Sequence, residues 1–532
     1  MAKTPLLRSI KEMARLVRQS KETGIPVDEL KAIKREAGLS RRRFLGGAAV
    51  GAAALAMPRR VMAAAQPKVV IVGGGIAGLT CALKLRDKGF ASTVYEASGR
   101  IGGRMFSNAN YWNAGQVSEW CGELIDTGHK TIQNLAQRYG LPLDDLSAAE
   151  PDGSNETYYV DGGYYRHADA VSDFQDIADI VAQDADDAGY PTLYNSSTPD
   201  GQELDHMSVY DWIESRIPGG HRSGLGQVLD LAYAIEYGAD TNIQSALNLV
   251  YLLGFQPKKK GLSIFGESDE RYHIRGGNQQ LPVAIANDLG DAVKTGYSLS
   301  CLAQTAGGRY TCTFERGNST VDVVADYVVL AIPFAVLANI DTSRAGFDNL
   351  KKTAIRELGR GHNNKLQLQF SQRGWNGAGV WPGKSNGSSY SDTGYQSSWD
   401  VTRAQPGTPG ILVLYGGGSV TDGMHTTSPF ATISDNGVQA DVTRGLRQLN
   451  PVYPGLNWNG KATQSIPHKS PFFNLAYSYW KVGQYTKFSG YEAATQGGIY
   501  FCGEHTSTDF QGYMEGGAST GKDTAKTLAT LL

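Results

Sequence analysis

The sequence predicts an α/β fold class, and three observations carry that prediction. A wholly apolar run near residue 70 leads through a glycine-rich turn into an apolar helical face, the pattern of a strand feeding a helix. A second strand-like run follows within the same stretch. A further apolar strand recurs far downstream, at residues 325–333, so the domain these strands build is discontinuous in the chain. With 532 residues, 41% hydrophobic and 19% charged, the chain is long enough for two or three domains with buried cores.

Residues 68–96 read KVVIVGGGIAGLTCALKLRDKGFASTVYE. Val69 to Val72 are all apolar, as a parallel strand covered on both faces requires. Gly73, Gly75 and Gly78 follow in G-x-G-x-x-G spacing, with Ile76 and Ala77 at the helix start. The first glycine makes the tight turn, the second lets a pyrophosphate reach the backbone, and the third lets helix pack on strand. The helix N-terminus then stabilises the phosphates. Ile76, Leu79, Leu83 and Leu85 form the apolar face. The second strand, Ser92 to Tyr95, ends at Glu96 and Ala97. Glu96 stands 18 residues after Gly78, placed to accept a hydrogen bond from a ribose hydroxyl. Strand, turn, helix, strand and acid in register predict a Rossmann-like dinucleotide site.

The next elements follow in order. SGRIGGR (98–104) sets Arg100, Gly103 and Arg104 directly after the second strand, and an arginine fork suits phosphate. GELIDTG (122–128) is a strand and turn containing Gly122 and Glu123. Residues 142–275 read as a largely helical insertion, on the helical spacing of YDWIESRI, LGQVLDLAYAIEY and NIQSALNLVYLLG. RYHIRGGNQQLP (271–282) returns to the first domain through a turn at Gly276-Gly277-Asn278. Alternating segments around 296–330 predict an antiparallel piece covering the dinucleotide. NNKLQLQF (363–370) alternates at period two and predicts a half-buried strand, and GILVLYG (410–416) a strand of the second domain. The expected partition is 1–65 as N-terminal region, 66–141, 276–340 and 481–532 as the dinucleotide-binding domain, 142–275 as the insertion, and 341–480 as the substrate-binding domain.

Charge is uneven. Residues 1–65 hold 14 Lys+Arg and 5 Asp+Glu, whereas the rest holds 36 and 47. A body that acidic argues against nucleic acid as partner. The basic region contains SRRRFLGGAAVGAAALAMPRRVMAAAQ (40–66), which resembles a twin-arginine export signal with cleavage near Ala65. Its apolar run is too short to span a membrane. The expectation is a periplasmic or secreted protein. Five cysteines without a CxxC pair read as core thiols rather than a disulfide framework or metal site. The sequence leaves a homodimer or higher homo-oligomer open.

The tail, IYFCGEHTSTDFQGYMEGG (499–517), joins GGGIAG, Glu96, RIGGR and GELIDTG in a set that resembles the flavin-containing amine oxidase family over roughly residues 67–532. The resemblance implies an amine oxidase fold: a discontinuous FAD-binding domain plus a substrate domain of mixed sheet and helical insertion. It implies that Arg100, Gly103, Arg104, Gly122 and Glu123 lie along the FAD. It implies that Gly503 and Glu504 contact the cofactor, and that the backbone at Gly512, Tyr513 and Met514 meets the flavin ring, with the tail's glycines giving that approach. Glu515 opens a helix whose N-terminus would lie near the flavin. Tyr513 matches one wall of an aromatic cage for the amine, and Tyr477 in NLAYSYW (474–480) matches the other, with Tyr479 and Trp480 close enough for a one-residue slip. Lys365 matches a lysine that holds a water beside the flavin. Ala476 stands where some relatives attach FAD to a cysteine, so FAD is expected to be non-covalent.

The implied reaction oxidises an amine to an imine, which water hydrolyses to a carbonyl compound and ammonia, while molecular oxygen accepts the electrons as peroxide. The implied substrate is an L-amino acid, a basic one being compatible with the acidic body, with a primary amine or polyamine as the alternative. An amino acid needs an arginine fork for its carboxylate, and GGRMFSNANYW offers none after Arg104. A dehydrogenase passing electrons to a redox protein is a further alternative.

Overall fold

The computed structural model describes residues 67–256 and 262–532. The expected export signal lies outside the described residues. Val69–Val72 (β1) is buried along its whole length, and its four valine and isoleucine side chains leave no solvent face. It lies between Ser92–Glu96 (β2) and, from far along the chain, Tyr327–Leu330 (β4), while Val293–Thr295 (β3) pairs with the other edge of β2. With Ile499–Phe501 (β5) they form an all-parallel sheet of order β5-β4-β1-β2-β3. Strands from three distant parts of the chain therefore build one sheet, as expected for the discontinuous domain. Helix α1 (Ile76–Arg86) is buried on nearly every side rather than on one stripe. Helix α2 (Lys130–Arg138) joins the same layer, burying Ile132, Leu135 and Ala136. Beside this sheet, Ser298–Gln304, Tyr310–Arg316 and Ser319–Ala325 pair antiparallel, as the alternation predicts, and Asp341–Arg344 adds a parallel edge.

The second domain is a nine-stranded mixed sheet. Its centre is Asn363–Phe370 between Trp458–Ser465 and Gly410–Gly417, both antiparallel to it. The insertion 142–275 is helical between His167 and Leu253, including α3 (Gly224–Tyr237), but its ends are strands. Leu143–Asp145 pairs with Tyr272–Ile274, and Asn155–Val160 with Gly163–Tyr165 extends the nine-stranded sheet. The physical reason is local. NETYYV has strand propensity, and Asp161 and Gly162 both take positive φ (54° and 71°), the tight two-residue turn that Asp-Gly favours.

The strand Asn363–Phe370 differs from the half-buried expectation: all eight residues are buried. Leu366, Leu368 and Phe370 enter the sheet core. The polar side chains on the other face are covered by residues 113–123. Gln367 Nε2 donates to the Glu119 carbonyl at 2.8 Å, and Gln369 Nε2 to Gln116 Oε1 at 2.8 Å. Alternation marks two chemically different faces here, not a wet face.

The chain closes with α4 (Met514–Leu528), which lies against α1. Its glycines have a different use from the one expected. A Cβ on Gly517 would come 2.9 Å from Ile76 Cγ2, and one on Gly521 would overlap the Ala77 carbonyl. Gly516 is closed off by the Phe510 carbonyl in the same way. Gly517 and Gly521 let α4 press closely on α1, and Gly516 lets it pass the preceding loop. Gly512, at φ 87°, is the one placed by its turn.

Candidate active site

The three turn glycines divide their tasks. A Cβ on Gly73 would come 2.6 Å from the Ala331 carbonyl oxygen, and one on Gly78 would overlap the Gly73 carbonyl. On Gly75 it would meet nothing within 4 Å. Gly73 and Gly78 are fixed by protein packing, while Gly75, at the start of α1 beside Ile76 and Ala77, faces open space. Glu96, at the end of β2, accepts the Gly74 N–H (2.7 Å) on one oxygen and the Ser98 N–H (2.8 Å) and hydroxyl on the other. Its carboxylate is aimed and held beside the turn, with Ala97 next to it. The RIGGR turn lies directly against this one: the Gly102 N–H donates to the Gly74 carbonyl, and the place of a Gly103 Cβ is 3.4 Å from Gly75 Cα. Arg100 covers the Phe106 ring at 3.8 Å and donates to the Gly103 carbonyl at 2.7 Å.

Glu504 is a clamp. It accepts from Arg104 Nη1 (2.9 Å), the Ser478 hydroxyl (3.1 Å) and the Gly512 N–H (2.9 Å). Burial, the largest influence, pushes its carboxyl up, but Arg104, His505 and the Gly512 N–H together outweigh it and hold the carboxyl below the usual range. Arg104 also donates to the Ala476 carbonyl at 2.9 Å. Both side chains thus join the RIGGR turn, the Tyr477 segment and the tail. Met514 packs its sulfur on Gly122, where a Cβ would sit 3.1 Å away. Glu515 points away from this surface. Its buried carboxylate accepts the Thr131 and Ile132 N–H groups at 2.9 and 2.8 Å, holding the free N-terminus of α2.

Lys365 is buried, so it is not a surface lysine. Its Nζ lies 2.5 Å from Glu123 Oε2 and 2.8 Å from the Cys121 carbonyl, leaving a third N–H free. The other Glu123 oxygen accepts from Trp399 Nε1 at 2.9 Å. Trp399 meets Tyr415 edge-on at 5.1 Å, and the Tyr415 hydroxyl is 3.1 Å from that of Tyr477. Tyr477 also donates to the Ile235 carbonyl, and its Cβ is 3.8 Å from the place a Gly512 Cβ would take. Tyr477 and Tyr513 are therefore brought together across Gly512. Tyr479 and Trp480 go elsewhere: Tyr479 packs over Gly359, and Trp480 sits in the core against Tyr485 and Phe488.

Several groups here carried no readable sequence signal. The Tyr513 hydroxyl donates to Glu236 Oε1 on α3 at 2.9 Å. Burial pushes the Glu236 carboxyl up to about 7. Glu270 has a left-handed backbone, φ 44°, unusual for this residue type. Its carboxyl is pushed well up by burial, then by Glu236 and Asp126, although the side chain keeps solvent access. Tyr390, Tyr415 and Tyr513 all feel both carboxylates. Asp126 ties the set together: it accepts the Glu270 N–H (2.9 Å) and the Ser268 hydroxyl (2.8 Å). Its own N–H donates to His129 Nδ1, which fixes that tautomer, and burial keeps His129 neutral. The His129 ring meets Tyr513 edge-on at 5.2 Å. Asp126 and His129 belong to GELIDTGH, so their segment was legible but not their task. Asn278, fully buried, donates to the Glu123 carbonyl at 2.7 Å and orders the same segment.

Comparison with known proteins agrees with this geometry. The family described as flavin containing amine oxidoreductase matches residues 76–529, and the chain belongs to it. Relatives include a nicotine dehydrogenase of Pseudomonas putida (26% identical, covering 94% of this chain and 99% of that one) and polyamine oxidase 6 of Oryza sativa subsp. japonica (25%; 89% and 92%). A putative L-amino-acid oxidase of Bacillus subtilis is 24% identical, covering 86% and 94%. The solved structure of cyclohexylamine oxidase from Brevibacterium oxydans shares the fold, with a TM-score of 0.71 at 19% identity over 88% of this chain and 99% of that one.

The chain is thus an amine oxidoreductase with FAD as cofactor. The residues present fit that group. Gly75 leaves the space a pyrophosphate needs, Glu96 is aimed at its rim, and His505, fully buried against Phe334, has both ring nitrogens unpartnered next to Gly503.

Proposed function

We propose that the protein is an FAD-dependent oxidase that deaminates an amine carrying a second cationic nitrogen. The observation that carries this reading is the pair of carboxyls, Glu236 and Glu270, set among the tyrosines that surround Tyr513. Bound FAD supplies the electron acceptor for C–H oxidation next to nitrogen. The chain's own residues then do the rest. Tyr477 and Tyr513 would hold the reacting amine between two rings and keep bulk water away. Burial raises both phenols, so they stay protonated donors. The third N–H of Lys365 would hold a water between Glu123 and the reacting carbon. Glu236, ionised above about pH 7, would accept a hydrogen bond from the substrate's cationic group.

The two substrate classes differ in what neutralises a carboxylate. A basic L-amino acid, giving the 2-oxo acid, ammonia and peroxide, needs an arginine fork, and Arg104 is bound to Glu504. A diamine or polyamine needs carboxylates alone. The charge of the site favours the diamine or polyamine, with the basic L-amino acid as the other member of the class. A third reading, a dehydrogenase that passes its electrons to a redox protein rather than to oxygen, is favoured by the relative named as a nicotine dehydrogenase. Purified, flavin-loaded protein tests all three. Peroxide from putrescine and spermidine supports the first, peroxide from L-lysine or L-arginine the second, and flavin bleaching without peroxide the third. Twin-arginine export with cleavage near Ala65 and non-covalent FAD belong to the same proposal. N-terminal sequencing of exported protein and release of flavin by acid precipitation check them.

A further inference from the structure

His362, Asp422 and His468 lie outside the amine site and are not used by it. One ligand-type atom from each lies within 4.8 Å of the others. His362 Nδ1 is 2.8 Å from Asp422 Oδ1, and His468 Nε2 is 4.0 Å from that same oxygen. The three come from separate segments. His362 precedes the strand Asn363–Phe370, Asp422 ends the short helix Ser419–Asp422, and His468 lies in the turn Pro467–Lys469. The two imidazoles stack face to face, 4.0 Å apart and 11° from parallel. An imidazole lone pair lies in its ring plane, so both rings can reach one ion only when one of them turns out of this stack. No hydrogen bond fixes the His468 ring: its Nδ1 is buried without a partner, and its Nε2 stands beyond bonding distance of Asp422.

We propose that these three side chains bind a divalent ion of the zinc type, with the remaining coordination positions open to water. Nitrogen and oxygen ligands at about 2.0–2.2 Å in a tetrahedral shell stand roughly 3.3 Å from one another. The His362–Asp422 pair would open by about half an ångström, and the His468 ring, which no hydrogen bond holds, would close by somewhat more and turn out of the stack. Asp422 is exposed and free to make that adjustment. Two imidazoles select zinc, nickel or copper over magnesium or calcium. The ion would tie together the supports of the amine site. His362 stands three residues before Lys365 in sequence, and its N–H donates to the Gly238 carbonyl, two residues after Glu236. His468 stands nine residues before Tyr477.

The test is calorimetric titration of ZnCl₂ into flavin-loaded, tag-free protein stripped with chelator, with Co²⁺ absorption as a second probe. The expected result is one saturable equivalent in the wild type, a raised thermal midpoint with zinc, and at least tenfold weaker binding in both Asp422→Asn and His468→Ala. His425→Ala, which alters the neighbouring His425–Asp441 pair, should bind as the wild type does. Unchanged flavin absorption certifies that each variant is folded. Absence of saturable binding in the wild type, or equal binding in wild type, Asp422→Asn and His468→Ala, would overturn the proposal.

Discussion

Glu236 shows how one side chain links stability to chemistry. Its carboxyl titrates at about 7 in the folded protein, above the ordinary value of 4.5. A raised carboxyl means the folded state holds its proton where the unfolded state has lost it. Burial of Glu236 is therefore neutral below the ordinary value of 4.5, costs stability as pH rises from there to about 7, and reaches its full cost above that. Glu236→Gln should accordingly melt higher than wild type at pH 8 and match it near pH 4, read by thermal unfolding of the flavin-loaded protein. The same ionisation should make kcat/KM for a dicationic substrate climb through pH 7. In Glu236→Gln that rise should flatten and KM should increase about 10- to 100-fold, the worth of a charge-assisted hydrogen bond. Lys365→Met leaves Glu123 buried without its cation, so it should lower stability by roughly 3–5 kcal/mol in denaturant unfolding. Glu96→Ala should weaken FAD retention, measured as flavin per protein after dilution. Full occupancy in that variant would contradict the ribose assignment.

At the scale of elements, the glycines separate folding from binding. Gly75→Ala puts a methyl into open space at an extended φ of −80°, so the apoprotein should melt as wild type does while FAD affinity falls. Gly521→Ala drives a methyl into the Ala77 carbonyl and should cost roughly 1–3 kcal/mol, with FAD binding lost only through unfolding. Thermal melts with and without FAD distinguish the two. The strand, turn and helix at 69–86 and the acid at 96 were legible because each physical demand there is local: an apolar run, spaced glycines, a terminal carboxylate. Asn363–Phe370 was legible as a strand but not as a buried one, because period two reports that two faces differ and not what covers them. The hairpin at Asp161-Gly162 had its turn signal in plain view, submerged in a segment whose middle is helical. The tail glycines were legible as close approach, but the partner, α1, comes from more than 400 residues away.

For the molecule as a whole, the site exists only because three chain segments return to one sheet and a second sheet is laid against residues 113–123. Lys365 and Glu123, 242 residues apart, meet across that junction, as do Tyr513 and Glu236, 277 apart. No local pattern could announce Glu236 or Glu270: α3 reads as an ordinary buried helix, and Glu270 depends on a backbone turn held by Asp126. Motifs carried the cofactor half of the site, while long-range packing decided the substrate half. The substrate role of the Glu236 and Glu270 carboxyls is tested most directly by peroxide formation by purified, flavin-loaded protein across matched substrates. The panel is putrescine, spermidine, L-lysine and L-arginine beside butylamine, benzylamine and L-leucine. The expected result is a kcat/KM for the best dicationic substrate that exceeds that for every singly charged or neutral-side-chain substrate, with most of that preference lost in Glu236→Gln. Equal or greater activity on butylamine or L-leucine, unchanged in Glu236→Gln, would contradict it.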